Sequence, residues 1–273
     1  MESEAVLRLG IFMGVLTALV VWEFVLPRRG RALPRMTRWL PNLALVALDT
    51  LLVRMLFPVT AVALAALGQT RGWGMLNQFD GPVWAEVLLA VIVLDCVIYL
   101  QHVVFHALPV LWRLHMVHHA DLDVDVTTGL RFHPLEILLS MGIKLAAVHA
   151  IGASPPAVLL FEVLLNGMAL FNHSNIHVPQ SVDRVLRCCF VTPDMHRSHH
   201  SHLSPETNMN FGFNLSWWDR LLGTYWPAPA EGHEAMETGL EHWREPEKCQ
   251  PLTALLLMPF RAKPGEYTIN RRW

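Results

Sequence analysis

The residues of this chain that are most able to do chemistry are its histidines. Ten of the 15 histidines are spaced as H-x-x-x-H or H-x-x-H-H, in four groups. Positions i, i+3 and i+4 share one face of a helix, so each group would direct its imidazoles toward a common point. Neutral imidazole binds zinc, copper, iron and nickel, and the pattern therefore predicts a metal site. The four groups are His102 and His106; His115, His118 and His119; His173 and His177; and His196, His199 and His200.

The number of histidines favours two metal ions. One ion takes about four to six ligands, so ten imidazoles suit two ions that leave room for an exogenous ligand. Histidine alone leaves zinc and iron both open. The chain has no H-E-x-x-H motif of a zinc hydrolase, and no E-x-x-H pairs line up as in soluble di-iron bundles. Two metals in a histidine cage beside a membrane suit oxygen activation on an apolar substrate.

The composition indicates an integral membrane protein. Hydrophobic residues make up 53% of the 273 residues, charged residues only 16%, and the mean hydropathy is +0.34. A soluble domain would carry about 25% charged residues. The net charge of −2 argues against a partner that is a nucleic acid. The four cysteines form no C-x-x-C pair, which excludes a zinc ribbon and favours a reducing compartment.

Five apolar segments are candidates for membrane helices. The last two are separated only by the tripeptide "ASP", so they form a hairpin that either spans the bilayer or enters and returns. The short segment 251–260 is expected to lie in the membrane interface. The five long segments are residues 9–26, 41–68, 83–101, 135–152 and 156–171.

The distribution of arginine predicts the orientation. The first connection between apolar segments contains five arginines, whereas the second, residues 69–82, contains only Arg71. The positive-inside rule places the first connection in the cytoplasm, and both H-x-x-H-H groups then fall on the same side. The predicted fold is an all-α integral membrane protein with about four transmembrane helices or helical hairpins and a cytosolic histidine-rich helical cap. The five arginines are Arg28, Arg29, Arg31, Arg35 and Arg38.

The order of the histidine motifs resembles that of the fatty acid hydroxylase superfamily, also called the sterol desaturase family. The resemblance runs from about Asp95 to Tyr225 and includes "VLWRLHMVHHADLDVDVTTGLRFHPLE", "NHSNIHVP" and "TPDMHRSHHSHLSPETNMNFGFNLSWWDRLLGTY". It implies a membrane enzyme with a non-haem di-iron centre, four main transmembrane helices and a cytosolic cap. Such enzymes use dioxygen and two electrons to hydroxylate or desaturate acyl chains, sterols or related lipids.

The resemblance also implies roles for individual residues. All ten histidines of the four groups would be metal ligands. Asp95, His133, His202 and Asn210 are candidates for contacts behind the ligands, although Asp95 equally suits an intramembrane polar network and Asn210 a turn. Weaker candidates, several of which suit helix caps better, are Asp121, Asp123, Asp125, Asp194 and Asp219.

The expected organisation has three parts: transmembrane helices in residues 1–82, a hydroxylase-like catalytic domain in 83–225, and a cytosolic tail in 226–273. The expected cofactor is a pair of iron ions, for which zinc could substitute in purified protein. The expected partners are a membrane lipid and a separate electron donor of the ferredoxin, rubredoxin or cytochrome b5 type, because no haem-binding H-P-G-G motif occurs. The expected location is a bacterial inner membrane, with the histidines on the cytoplasmic side.

The favoured function is hydroxylation of an unactivated C–H bond of a lipid. Desaturation on the same site stays open, because both reactions would use the same ligands. A membrane protein that only binds or transports metal is a further alternative. A transport path would need ligands distributed through the bilayer, whereas here only His149 lies deep within an apolar segment.

Overall fold

All regular structure in the described part of the chain is helical. The computed structural model describes residues 2–78, 80–261 and 267–269. The helices, in chain order, are α1 (Glu2–Val25), α2 (Arg35–Leu56), α3 (Ala61–Arg71), α4 (Val83–Ala107), α5 (Pro109–His119), α6 (Pro134–Ile151), α7 (Pro155–His173), α8 (Gln180–Leu186), α9 (Pro193–His199), α10 (Ser204–Thr207), α11 (Trp217–Leu221), α12 (Gly232–Ala235), α13 (Pro246–Cys249) and α14 (Leu252–Arg261).

Five of these helices are long and apolar enough to cross a membrane, namely α1, α2, α4, α6 and α7. They contain 18 to 25 residues. At 1.5 Å per residue these lengths reach about 27–37 Å, against a hydrocarbon core of about 30 Å. Helices α6 and α7, the two arms of the predicted hairpin, contain 18 and 19 residues and so come within about 3 Å of this thickness. The predicted all-helical membrane fold with a histidine-rich helical region is confirmed.

Proline and glycine set the boundaries at the end of the bundle opposite the histidines. The apolar segment 41–68 divides at Pro58 into α2 and α3, and the Thr60 side chain caps α3 by accepting from the Ala63 amide. Gly74 and Gly152 both have positive φ, and a Cβ on Gly74 would lie 2.2 Å from the Gly152 nitrogen. Only glycine permits this contact, which joins the turn after α3 to the α6–α7 turn.

The arginine-rich connection between α1 and α2 lies at the same end of the bundle as both H-x-x-H-H groups. Arg38 is fully buried, and its guanidinium donates to Asp121 at 2.6 Å and to Asp125 at 2.7 Å. Arg28 pairs with Asp194 at 3.1 Å. Burial alone would raise the pKa of Asp121, but the neighbouring guanidiniums, with Arg38 foremost, hold it below its ordinary value. These arginines therefore bind the polar segments to the membrane helices.

The C-terminal region packs on the outside of α5. Cys249, Leu255 and Met258 share an apolar core with Trp112 and Met116 of α5. Helix α14 thereby packs against α5.

Candidate metal centre

Nine of the ten predicted ligands converge into two adjacent clusters. Within each cluster one nitrogen from each imidazole lies within 4.8 Å of the others, and all nine side chains are buried. The five-histidine cluster consists of His102, His106, His115, His119 and His199. The four-histidine cluster consists of His118, His173, His196 and His200.

Each H-x-x-H-H group contributes to both clusters. On α5, His115 and His119 are one turn apart and enter the five-histidine cluster, whereas His118 points to the other. In the group at the end of α9 the assignment is reversed: His199 enters the five-histidine cluster, and His196 and His200 enter the four-histidine cluster. The i, i+4 pair thus serves one cluster and the i+3 histidine the other, because a helix turns 100° per residue. The two clusters are therefore in contact: the rings of His119 and His200 stack with their centroids 4.6 Å apart.

Four helices end at the histidine clusters, and their C-termini give this region a preference for positive charge. The histidines lie within the last two turns of α4, α5, α7 and α9, or directly beyond them. The C-terminus of a helix carries a partial negative charge and exposes unpaired carbonyl groups. Four such ends directed at one region favour cations there.

The hydrogen bonds of the imidazoles show that a cation fits between them. Nδ1 of His102 donates to the Phe211 carbonyl at 2.8 Å, and Nδ1 of His199 donates to the Met209 carbonyl at 2.7 Å. A neutral imidazole carries one proton, so Nε2 of each ring is a lone pair. These two Nε2 atoms lie only 3.1 Å apart, where two lone pairs repel each other. A metal ion bound between them would accept both lone pairs and thereby replace this repulsion with coordination.

The four-histidine cluster shows the same arrangement. His173 donates from Nδ1 to the Ala169 carbonyl and His118 from Nδ1 to the Arg131 carbonyl. Their Nε2 atoms face each other at 3.0 Å, as do those of His173 and His196. In the described part of the chain, both nitrogens of His200 and Nδ1 of His196 are buried without a hydrogen-bond partner. The donor set therefore fits one metal in each cluster.

Burial holds the imidazoles in the neutral form that binds metal. It lowers the pKa of His115 to about 3. It also holds the pKa values of His118 and His199 well below the ordinary value, and neighbouring imidazoles lower them further. Neutral histidine is the metal-binding form, so no proton has to leave these rings at pH 7.

His177 is the one predicted ligand that the structure does not bring to the centre. Helix α7 ends at His173, so the i, i+4 relation that the spacing suggested does not exist on a common helix. The His177 amide donates to the Leu26 carbonyl at 2.9 Å, and its side chain is exposed. We therefore take His177 out of the proposed ligand set.

The histidines that were candidates for contacts behind the ligands lie elsewhere. His133 caps α6 by accepting from the Leu135 amide, and its Nε2 contacts the Leu256 carbonyl at 3.3 Å. His202 contacts the Glu237 carbonyl at 3.3 Å at the surface of the cap. In the hydrogen bonds that the structure describes, neither side chain touches a histidine of the two clusters.

Asp95 and Asn210 act on the backbone of the loop behind the ligands. The Asp95 carboxylate accepts from the Trp218 indole at 2.8 Å and from the amides of Asn214 and Leu215. Asn210 has a φ of 54°, in the left-handed region, and its side-chain amide donates to the carbonyls of Met195 and Trp226.

Asp219 closes the same loop. It accepts from the amides of Phe211 and Gly212, both at 2.8 Å, and burial raises its pKa to about 6. Because the carbonyl of Phe211 accepts from His102, Asp219 positions that ligand through the loop.

Two residues in direct contact with the ligands were missed in the sequence. Glu136 accepts from Nδ1 of His115 at 2.7 Å, and Asn208 contacts Nδ1 of His106 at 3.3 Å. A carboxylate behind a ligating histidine fixes its tautomer and raises its basicity. The signal in the sequence was an acid at the start of an apolar segment, in "RFHPLE". Its contact with His115 depends on the packing of α6 against α5 and could not be deduced from spacing.

Buried imidazole clusters at the end of a bundle of long apolar helices define a class of membrane protein whose histidines could bind metal. The chain belongs to the fatty acid hydroxylase family. The family model, described as fatty acid hydroxylase, matches residues 87–224, which is just over half of the chain. The predicted family is thus confirmed.

Similar proteins include three lipid hydroxylases or monooxygenases. Ornithine lipid hydroxylase OlsE of Rhizobium tropici is 31% identical over 148 residues, which cover 54% of this chain and 44% of that protein. Human cholesterol 25-hydroxylase is 27% identical over 142 residues, covering 51% and 50%. Alkylglycerol monooxygenase of Xenopus tropicalis is 28% identical over 152 residues, covering 55% and 32%. The matches thus span about half or less of each relative. No solved structure matches the chain significantly.

Proposed function

We propose that this protein is a membrane oxidoreductase that hydroxylates an unactivated C–H bond of a lipid, using dioxygen and two electrons. The observation that carries the proposal is the pair of buried clusters of five and four imidazoles, in which four pairs of Nε2 atoms face each other at 3.0–3.1 Å. The relatives named above support the reaction class, since each is named as a hydroxylase or monooxygenase of a lipid.

Nine histidines of this chain would hold two iron ions, one in each cluster. When bound, the irons would supply the activation of dioxygen that attack on an unactivated C–H bond requires. Zinc has the same ligand preference and could occupy the clusters in purified protein. The proposed ligands are His102, His106, His115, His119 and His199 for one ion and His118, His173, His196 and His200 for the other.

The protein side chains would contribute orientation and the exclusion of water. The outward hydrogen bonds of His102, His115 and His199 keep each Nε2 directed inward. All nine rings are buried, so bulk water is kept from the reacting region. Helices α4 and α7 carry ligands at their ends and long apolar surfaces below, along which a lipid chain could approach the clusters.

The substrate is proposed as an amphiphilic lipid of the same membrane, and the electrons are proposed to come from a separate donor protein of the ferredoxin, rubredoxin or cytochrome b5 type. The clusters are proposed to lie at the cytoplasmic face of a bacterial inner membrane. The arginine-rich connection on the histidine end supports this orientation by the positive-inside rule.

Metal analysis and product mass together test the proposal. Purified protein should bind two metal ions per chain, and fewer in the presence of all nine histidines would contradict it. Lipids of cells that express the protein should then include a species heavier by one oxygen atom, absent when His102→Ala is expressed instead. A product lighter by two hydrogens would assign desaturation, and unchanged lipids with altered cellular metal would assign transport.

A further inference from the structure

An exposed apolar surface lies on the polar side of the protein, beside α4. Helices α8 and α11 each turn large apolar side chains outward, and those of Val185 and Leu221 are 71% and 73% exposed. We call this the α8–α11 surface. It consists of Val182, Val185, Phe190, Trp217, Leu221 and Leu222.

The two helices form one surface because the segments that follow α8 and begin α11 are bonded to each other. The Ser216 amide donates to the Cys189 carbonyl at 3.1 Å, and the Trp217 indole donates to the Cys188 carbonyl at 3.1 Å. The Arg220 guanidinium donates to the Arg187 carbonyl at 3.0 Å. Apolar groups on both segments are therefore presented as a unit.

The contact with α4 fixes the depth of this surface. Trp218, in α11, donates to Asp95 at 2.8 Å, and Tyr99 and Thr224 are joined through their hydroxyls at 2.8 Å. Asp95 lies six residues before Gln101, at the end of the apolar stretch of α4, which is about 9 Å along the helix axis. If residues 83–101 span a hydrocarbon core of about 30 Å, Trp218 lies below the membrane surface.

The charges around the surface suit a membrane rather than a protein partner. The acids of the two helices, Asp183 and Asp219, are buried, whereas Arg184 and Arg220 are exposed. Arg220 also lies over the Tyr225 ring at 4.0 Å. Tryptophan, tyrosine and arginine together with exposed leucine and valine are typical of segments at the boundary between lipid headgroups and acyl chains.

We propose that the α8–α11 surface is inserted into the headgroup and acyl boundary of the bilayer that α4 crosses, with its arginines at anionic headgroups. The loop between α10 and α11 supplies the carbonyls of Met209 and Phe211 that hold His199 and His102. Insertion would therefore fix the height of the metal centre above the acyl chains. The proposal rests on contacts with α4 and on exposure, and does not depend on the reaction.

Spin labels on full-length protein in vesicles test the insertion. Cys188 and Cys189 are replaced by serine, and a nitroxide is placed at position 185 or 221. Labels at the exposed residues Leu88 of α4 and Glu247 of α13 serve as references for lipid and water. The measured quantity is the ratio of the label's collision rate with oxygen to its collision rate with a water-soluble nickel chelate. At positions 185 and 221 this ratio should be several-fold higher than at 247 and should approach the ratio at 88. A ratio like that at 247 would overturn the proposal.

Two further measurements separate other occupants. Dipolar broadening between labels at position 221 in dilute vesicles would indicate a second copy of the chain on this surface and would overturn the proposal. Adding phosphatidylglycerol to phosphatidylcholine vesicles should deepen the label at 221, and Arg184→Gln should reduce that change. A depth that does not respond to phosphatidylglycerol would overturn the assigned role of the arginines.

Discussion

The two histidine clusters differ in how firmly the protein holds them. In the five-histidine cluster, the outer nitrogens of four rings bond to fixed acceptors: Glu136, Asn208, and the carbonyls of Met209 and Phe211. In the four-histidine cluster, His196 has a free outer nitrogen and His200 has no partner on either nitrogen, within the described residues. The first cluster also has one ligand more.

This difference favours unequal tasks for the two proposed metals. Outer contacts fix the orientation of a ligand, and metal affinity falls when they are absent. We infer that the five-histidine cluster holds its metal more tightly. The four-histidine cluster has more room for exogenous ligands, because fewer protein nitrogens fill the coordination shell.

Removing one ligand from each cluster gives the largest expected effects. His106→Ala leaves four imidazoles in its cluster, whereas His173→Ala leaves three. Both variants should lose more than the roughly 10–100-fold in activity that is typical for outer contacts. Only His173→Ala should fall to one metal per chain, as measured by mass spectrometry of the metals, with His242→Ala as the control. A greater metal loss in His106→Ala would reverse the ranking of the clusters.

Glu136→Gln tests the outer contacts themselves. The amide keeps the shape of the side chain but lacks the charge that strengthens the hydrogen bond from His115. Metal affinity of the five-histidine cluster should fall by about 10–100-fold, measured by competition with a chelator. Glu206→Gln is the matched control, because Glu206 is also buried but accepts from Ala230 in the cap. Equal losses in both variants would show that Glu136 has only a general structural role.

Acidification should also reveal the difference in metal affinity between the two clusters, but over a range of pH. Burial lowers the pKa of His115 from 6.5 to about 3, so folding favours the neutral ring. The corresponding stabilisation is complete above about pH 6.5 and is lost as the pH falls toward 3, because the unfolded chain binds the proton first. The thermal unfolding midpoint should decline below pH 6.5, and metal should leave the four-histidine cluster first. A midpoint that rises between pH 6.5 and 4 would contradict this sign.

The smallest effects are expected outside the clusters. His177→Ala and His202→Ala remove side chains that lie away from the buried imidazoles. Metal content should be unchanged and activity should stay within about twofold, as for surface substitutions in general. Loss of one metal in His177→Ala would restore this residue to the ligand set. Each cluster would then have five histidine ligands.

Much of the fold could be predicted because it depends on local patterns. Apolar segments of membrane length are visible without tertiary information, and Pro58 marks the break between α2 and α3. The arginine-rich connection and the H-x-x-H-H groups were placed at the same end of the helices from charge alone, and Arg38 contacts Asp121 and Asp125 there.

The parts of the site that were missed depend on where helices end and how they pack. The spacing of His173 and His177 suggested a pair, but α7 ends at the first of them. The role of Glu136 depends on α6 lying against α5, and Asp95 binds a loop more than 110 residues away. No sequence window contains such contacts.

The sequence by itself determined that this is a membrane protein with a histidine-rich centre. Composition and the i, i+3 and i+4 spacing of the histidines do not depend on how the helices pack. Only the tertiary structure decided which imidazoles share a cluster. His115 and His118 are three residues apart on one helix, yet they belong to different clusters that are completed by histidines of other helices. The direction of a side chain around a helix is local, but the identity of what it meets is set by the packing of the whole bundle.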